Sequence, residues 1–369
     1  WALQDLNPRQ RGRVRFPSCG FGLRKTTMKT AEHRSLEPTS PEKALELYLQ
    51  ERRTEAADST VKAHKYRLGH FVRWCDKEDL ENINELSGRL LHEYRLWRRE
   101  DGDLNKVSVK SQMDTLRVFI RWCETIDAVE PDLSTKVLSP NLSNGENQRD
   151  VMLETNEAES LLNYLGRFDY ASLEHTLLLL LWKTGMRIGA VQGLDVEDYD
   201  STEGYISVCH RQTTPLKNKE DGERFVALSD ETCGVLDDWL SHQRPDVTDD
   251  VGRRPLLATT HGRPHKTTLR EKVYRWTRPC QYSGECTHNR DIEECEATDG
   301  HNKTASKCPS SVSPHAIRRG SITHHLTEDV PEKVVSDRMN VGQDVLDKHY
   351  DRRSEEVKVE QRRGYLEDV

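Results

Sequence analysis

The feature that most limits how this chain can fold is a stretch of turn-forming residues near its middle, at positions 131–150. Pro131, Pro140 and Gly145 stand there among several Ser and Asn residues. Residues of these types favour turns and linkers over regular structure. The chain has 369 residues, and a typical domain has about 100–200. We therefore predict two domains, divided near residue 148.

The composition is polar and acidic. Hydrophobic residues make up 34% of the chain, and 63 Asp and Glu outweigh 55 Lys and Arg to give a net charge of -8. Seven Trp and long periodic apolar segments argue against disorder. No stretch approaches the ~20 apolar residues that span a bilayer, so we expect a cytoplasmic protein with no membrane partner. The acidity argues against a nucleic-acid partner only provisionally, because the distribution of charge matters more than its sum.

Residues 1–37 are predicted to form a basic, flexible tail. Eight Lys or Arg residues fall within residues 9–34, together with several Gly and Pro residues. Such a segment is either an arm that contacts nucleic acid or a solvated tail, and its composition favours the tail.

Residues 38–135 are predicted to form a compact helical domain, followed by a linker over 136–149. Four segments carry apolar side chains at helical spacing, beginning near Pro41 and Ser59 and covering about 87–100 and 108–126. These helices also carry basic clusters, among them Lys62, Lys65, Arg67, Arg73, Arg95, Arg98, Arg99, Lys110 and Arg117. A basic face can track phosphates or can simply be a solvated surface, and both interpretations stay open.

Residues 150–369 are predicted to be mostly helical with a small sheet. Two short runs, 205–208 and 225–228, read as the strands of a hairpin. Helices are predicted on both sides of this hairpin, with Thr155 as a cap and Gly185 at a left-handed helix end.

Three separated pieces of this second domain could carry chemistry. Arg187 follows the Gly185 turn, His315 and Arg318 stand three residues apart on a predicted helix, and Tyr350 lies near the C-terminus. Each piece is weak evidence alone, because single Arg, His and Tyr residues are usually structural. Their order along the chain, with a lysine-bearing hairpin between them, is much more specific.

Taken together, these pieces resemble the tyrosine recombinase family, also called phage-type integrases. The resemblance extends from about residue 38 to the end of the second domain. It implies a mainly α fold, with a helical SAM-like core-binding domain that contacts DNA and an α+β catalytic domain with a small β-sheet. The excess of Arg over Lys and the scarcity of Ile further resemble haloarchaeal members, whose carboxylates keep proteins hydrated in molar salt.

The resemblance also implies roles for individual residues. Arg187 and Arg318 would hold the nonbridging oxygens of a DNA phosphate, and Tyr350 would attack the phosphorus to form a 3′-phosphotyrosyl bond. His315 would assist proton transfer. A hairpin lysine would protonate the leaving 5′ oxygen: Lys217 is favoured, and Lys219 is a serious competitor.

One position departs from the family pattern. A second His usually lies about nine residues before the nucleophile, and Val341 stands there. A valine side chain cannot donate a hydrogen bond to a phosphate. Asn340 could substitute for the missing group.

A Cys-rich insertion at 280–308 separates the hairpin from His315. Thiolate ligands suit tetrahedral Zn²⁺, and the predicted set is Cys280, Cys286, Cys295 and Cys308, with His288 as an alternate. The alternative is a loop of reduced, unliganded thiols. A zinc ion here would be structural, because cleavage in the family needs no cofactor.

The implied function is site-specific DNA recombination or integration. Strand exchange between two duplexes implies double-stranded DNA as partner and a homotetramer on synapsed DNA. Two alternatives remain: a type IB topoisomerase-like enzyme that relaxes DNA, and a catalytically degenerate DNA-binding protein, which the missing second His keeps open.

Overall fold

The computed structural model describes residues 36–143, 146, 151–299 and 302–367. The predicted basic segment at 9–34 lies outside the described residues, as does His301. The chain divides into two compact units, residues 1–147 and 148–369. No helix among the described residues has the length and apolar content needed to cross a membrane.

The described part of the first unit is helical. Its helices are α1 (Pro41–Glu55), α2 (Asp58–Lys77), α3 (Gly88–Asp101) and α4 (Lys106–Thr125), with short 3-10 helices at Ile83–Glu85 and Leu133–Lys136. Side-chain caps set the starts of three of them: the backbone N–H groups of Lys43, Leu90 and Ser108 donate to the side chains of Ser40, Ser87 and Asn105.

Aromatic side chains fill the core of the first unit. Phe71 lies edge-on to Tyr94, with ring centroids 5.3 Å apart, and Phe119 meets Tyr48 in the same way at 5.3 Å. These rings and Trp74 are almost completely buried. Such pairs favour edge-to-face contact because the ring faces are negative and the edges positive. Cys75 and Cys123 are also fully buried there, beside tryptophans.

The second unit surrounds a three-stranded antiparallel sheet of β1 (Tyr199–Asp200), β2 (Tyr205–Val208) and β3 (Arg224–Ala227), in the order β1-β2-β3. Ile206 pairs with Val226, and both side chains point into the core. The helices that precede the sheet are α5 (Thr155–Phe168), α6 (Leu173–Thr184) and α7 (Ile188–Gly193). Those that follow it are α8 (Asp230–Asp238), α9 (Lys266–Trp276), α10 (Pro279–Ser283), α11 (Pro314–Thr327), α12 (Glu332–Met339), α13 (Gln343–His349) and α14 (Glu355–Glu367).

This architecture confirms the predicted fold class, a mainly helical chain with a small sheet. The prediction that Thr155 caps a helix is wrong. Glu154 is the cap, and its side chain and that of Glu157 exchange hydrogen bonds with each other's backbone N–H groups. The shift follows from the capping box, which satisfies two N–H groups at once.

Helix α14 was not predicted from the sequence. It is tied back to the same chain: the Gln361 side chain donates to the Leu326 carbonyl at 2.7 Å. Arg353, just before the helix, binds Glu332 at 2.7 Å and Asp351 at 2.9 Å. The bonds to Leu326 and Glu332 join residues 35 and 21 positions apart, so periodicity alone could not reveal them.

Candidate active site

The turn after α6 brings Arg187 into the site. Gly185 ends α6 with a φ of +58°, and a Cβ at this position would lie 2.5 Å from the Met339 sulfur. Only glycine satisfies both the left-handed backbone and the close approach. The turn thereby packs against the end of α12 and places Arg187 as the N-terminal flanking residue of α7.

Helix α11 carries two of the predicted site residues. Its first turn is capped by Ser313, whose side chain accepts the Ala316 N–H at 3.3 Å. His315 and Arg318 lie one turn apart. Arg318 is only 1% exposed, and its Nη1 donates to the Gly185 carbonyl at 2.5 Å, which links α11 to the turn that bears Arg187.

Tyr350 meets both α11 residues. Its hydroxyl lies 3.2 Å from His315 Nε2, and the Arg318 Cζ lies 5.4 Å from its ring centroid. Tyr350 follows α13 rather than lying within it. Its carbonyl accepts the Thr323 hydroxyl at 2.8 Å, so α11 also fixes its backbone.

Two arginines converge on one backbone oxygen. Arg187 Nη1 donates to the Asn340 carbonyl at 3.1 Å, and Arg318 Nη2 lies 3.5 Å from the same atom. Arg318 Nε is buried and has no hydrogen-bond partner among the described residues. A buried donor without an acceptor is costly, and Arg52 and Arg253 carry an Nε of the same kind elsewhere in the chain.

The electrostatics of the site are strongly positive. Burial and the charge of Arg187 lower the pKa of Arg318 to about 10, an effect that Tyr350 opposes. Partial desolvation lowers the pKa of His315 to about 4, with further lowering by Arg319, Arg318, Arg187 and Lys217. His315 is thus neutral at neutral pH and can accept a proton on Nε2.

The two arginines Arg187 and Arg318 lack a carboxylate partner among the described residues. Within the described part of the chain, neither Arg187 nor Arg318 forms an ion pair, whereas Arg263 and Arg353 each bind two carboxylates. An uncompensated cluster of guanidinium groups is suited to bind an anion, and a phosphate most of all because its oxygens match the guanidinium fork.

The two candidate lysines differ in their surroundings. Lys217 is one of the cations that lower the pKa of His315. Lys219 starts a short 3-10 helix with a φ of +50°, and no described contact joins it to the other site residues. Lys217 therefore lies within electrostatic range of His315.

In the turn where the family has its second His, this chain has Asn340 and Val341. Val341 is 4% exposed and packs in an apolar cluster with Ile322 and Leu346. The Asn340 side chain accepts a hydrogen bond from Asn218 at 3.0 Å. The side chain of Asn340 is therefore tied to the hairpin loop, while its carbonyl holds the arginines.

Sequence reasoning missed Arg224 and Arg338. Arg224 opens β3, and its Nε donates to the Arg338 carbonyl at 2.7 Å. Arg338 in turn donates to the carbonyls of Ala227 and Lys183 at 2.7 and 3.1 Å. The available signal was the place of Arg224 directly after the lysine-bearing hairpin.

The Cys-rich insertion places other thiols near Cys280. Burial raises the pKa of Cys280, and the nearby Cys308, Cys286 and Cys295 raise it further against the lowering effect of Arg278. Among the described residues, no three His, Cys, Asp or Glu side chains are arranged to hold a metal ion. The four cysteines are neighbours, and all are free.

Several known proteins are similar to this chain. The tyrosine recombinase XerD of Pseudomonas aeruginosa is 24% identical over 288 residues, which cover 76% of this chain and 81% of that protein. The Tn1549 transposon integrase, solved in complex with transposon right end DNA, is 16% identical, with a TM-score of 0.62 over 88% of this chain and 99% of that one. The N-terminal domain of a phage integrase from Haloarcula marismortui is 38% identical, covering 28% of this chain and 99% of that one, with a TM-score of 0.27.

A family model also matches this chain. The model of the phage integrase family matches residues 151–352, which is more than half of the chain and contains Arg187, His315, Arg318 and Tyr350. The protein therefore belongs to the phage integrase family, the tyrosine recombinases.

Proposed function

We propose that this protein is a site-specific DNA recombinase that cuts and rejoins DNA strands through a 3′-phosphotyrosyl intermediate. The observation that carries the proposal is the meeting of the Tyr350 hydroxyl with His315 Nε2 at 3.2 Å beside Arg318. A nucleophile, a neutral base and a phosphate-binding cation are thus within reach of one reacting phosphorus.

In the bound state, Arg187 and Arg318 take the nonbridging phosphate oxygens. They exchange their hydrogen bonds to the Asn340 carbonyl for stronger, charge-assisted bonds to the phosphate. The buried Arg318 Nε gains an acceptor at the same time. Both effects favour the charged transition state over the empty site.

The chemical step is a transesterification. The Tyr350 oxygen attacks the phosphorus, and its proton passes to His315 Nε2. The bond from phosphorus to the 5′ oxygen breaks, and Lys217 donates a proton to that oxygen. The phosphotyrosyl bond conserves the energy of the broken diester, so attack by a 5′-hydroxyl reverses the step and needs no added cofactor.

Double-stranded DNA is the partner that this chemistry requires. The basic clusters of α2 and α4 suit contact with a phosphate backbone. In α2, Lys65 and Arg67 flank Tyr66, whose side chain is 70% exposed. The Tn1549 likeness supports the same partner. Exchange between two duplexes requires four cleavages, and hence a homotetramer on synapsed DNA.

A suicide DNA substrate tests the function. The substrate carries a nick just downstream of the cleavage position, so that the short fragment with the new 5′-hydroxyl diffuses away after cleavage. Its sequence comes from direct repeats that flank the gene. Wild-type protein should form a covalent adduct visible as a slower band in denaturing gels, and Tyr350→Phe should form none. Relaxation of any supercoiled plasmid without site preference would instead identify a topoisomerase-like enzyme.

Absence of an adduct on every repeat-derived substrate, with DNA binding retained, would contradict the proposal. It would identify a catalytically degenerate DNA-binding protein. Val341 at the position of the second His is the feature that makes this outcome worth testing.

The zinc hypothesis stays a prediction that is separate from cleavage. Its support is that Cys280 has three thiol neighbours and that the backbone N–H groups of Arg290 and His288 hold the pKa of Cys286 below its ordinary value. The lowered pKa of Cys286 favours a thiolate that a structural Zn²⁺ could bind, and the thiols near Cys280 would supply further ligands. Metal analysis of the purified protein should give about one zinc per chain, and a ratio far below one would reject it.

A further inference from the structure

Arg224 occupies a position between the lysine hairpin and the end of α12. Its Nε donates to the Arg338 carbonyl at 2.7 Å, and its Nη1 donates to the Gly222 carbonyl at 2.9 Å. The two bonds fix the plane of the guanidinium group. Its orientation is therefore set before any ligand arrives.

The remaining nitrogen of Arg224 is uncommitted. Nη2 makes no hydrogen bond to any described residue. It does not belong to the fully buried polar atoms that lack a partner, so it keeps some contact with solvent. Burial and the charges of Arg318, Arg187 and Arg338 lower the pKa of Arg224 to about 10. The group remains protonated at neutral pH and lies in the same positive field as the two phosphate-binding arginines.

The end of α12 organises all three arginines. The Arg338 carbonyl accepts from Arg224, and the Asn340 carbonyl accepts from Arg187 and Arg318. The C-terminal end of a helix carries partial negative charge, which offsets the repulsion among three cations. Backbone carbonyls rather than carboxylates hold these cations, so their charge is not neutralised and stays available to an anion.

We propose that Arg224 is a third phosphate-binding residue, whose Nη2 donates to a nonbridging oxygen of the scissile phosphate in place of the bond that Val341 cannot make. The proposal rests on the proposed recombinase function. Arg224 is the right kind of group because a guanidinium bond to a phosphate is charge-assisted. It is carried by β3, whereas Arg187 flanks α7 and Arg318 belongs to α11.

The test compares Arg224→Gln with wild type in single-turnover cleavage of the suicide substrate. Loss of one preorganised donor costs about 100-fold in rate. The same pair is then measured on a substrate whose scissile phosphate is a methylphosphonate, in which a methyl group replaces one charged oxygen. If Arg224 binds that charge, most of the difference between variant and wild type should disappear on this substrate.

Arg338→Gln is the matched control. It removes a neighbouring arginine whose guanidinium binds only the carbonyls of Ala227 and Lys183, so any loss should be equal on both substrates. Arg224→Lys keeps the positive charge and guards against a fold defect in the glutamine variant. It should retain more activity than Arg224→Gln on the phosphodiester.

Three outcomes would overturn the proposal. In the first, Arg224→Gln cleaves the phosphodiester at the wild-type rate. In the second, its cleavage rate falls by the same factor on the phosphodiester and on the methylphosphonate. It could also be rescued only by a substrate with sulfur as the bridging 5′ atom, which would mean that Arg224 acts through the leaving group and Lys217. If wild type forms no adduct at all, the recombinase function fails and this role fails with it, whereas an active wild type beside an unaffected Arg224→Gln rejects this role alone.

Discussion

The core of the first unit and the candidate active site both bury large side chains, but different forces hold them. In the first unit, Phe71, Trp74 and Phe119 pack ring against ring and expose almost no surface. In the site, Arg318 is buried to a similar degree, and its contacts are backbone carbonyls and the Tyr350 ring. The aromatic core is complete as it stands, whereas the arginine cluster has donors left over for a ligand.

This difference predicts how each region responds to change. Removing a ring from the aromatic core should lower stability and leave the chemistry of the folded protein intact. Removing a group from the site should affect the rate of cleavage more than the stability. The following variants test that separation, from the largest expected effect on cleavage to the smallest.

Arg318→Ala should have the largest effect. It removes the cation that touches the Tyr350 ring and a donor to the phosphate, and loss of such a group costs about 1000-fold in rate. The measurement is single-turnover formation of the covalent adduct. Arg263→Ala is a contrast, because that buried arginine binds Asp195 and Asp249 and should reduce stability instead. Equal cleavage rates for Arg318→Ala and wild type would show that this arginine cluster does not take part in the chemistry.

Lys217→Ala should come next, with a loss of about 100-fold. A bridging sulfur at the 5′ position should restore most of the rate, because a thiolate leaves without a proton. Lys219→Ala serves as the matched variant two residues away and should retain nearly the wild-type rate. The reverse ranking of the two lysines would assign the proton donor to Lys219.

The dependence of cleavage on pH should be smaller. Because the pKa of His315 is lowered to about 4, the imidazole stays neutral at pH 7 and becomes protonated only as the pH falls toward 4. The folded state binds this proton less readily than the unfolded state, whose His pKa is about 6.5. Stability is therefore also lost as the pH falls from about 6.5 toward 4. A rate that already falls at pH 7, and that loses this dependence in His315→Gln, would contradict a lowered pKa.

Phe119→Ala should have the smallest effect on cleavage by the folded protein. It removes a fully buried ring from the first unit, which typically lowers the free energy of unfolding by about 3–5 kcal/mol. Chemical denaturation measures the stability, and adduct formation below the unfolding midpoint measures the chemistry. A loss of cleavage comparable to that of Arg318→Ala would show that the two regions are not separable.

Local pattern predicted much of the fold and part of the site. The helices around Pro41 and Phe119 followed from apolar spacing, and the left-handed end at Gly185 followed from glycine chemistry. The family was indicated by the order of Arg187, His315, Arg318 and Tyr350 along the chain, and the family model spans all four residues. These features are encoded within a few residues or in a recognisable series.

The remainder depends on contacts between distant parts of the chain. Arg187 and Asn340 are 153 positions apart, and Arg224 and Arg338 are 114 apart. No local property of either partner signals such bonds. The same holds for α14, which is tied to Leu326 through Gln361. It also holds for Lys217 and Lys219, because the residues around each lysine depend on the fold and not on the local sequence.

The acceptor that Arg187 and Arg318 share belongs to the main chain of Asn340, and this has a consequence for mutational tolerance. A substitution at 340 changes the side chain but leaves the carbonyl in place, provided that the new residue accepts a φ near +49°, as Gly and Asp readily do. The ligand-free arrangement of the arginines is thus protected from those changes at this position that keep the left-handed backbone. The turn can vary in sequence while the cations stay aligned.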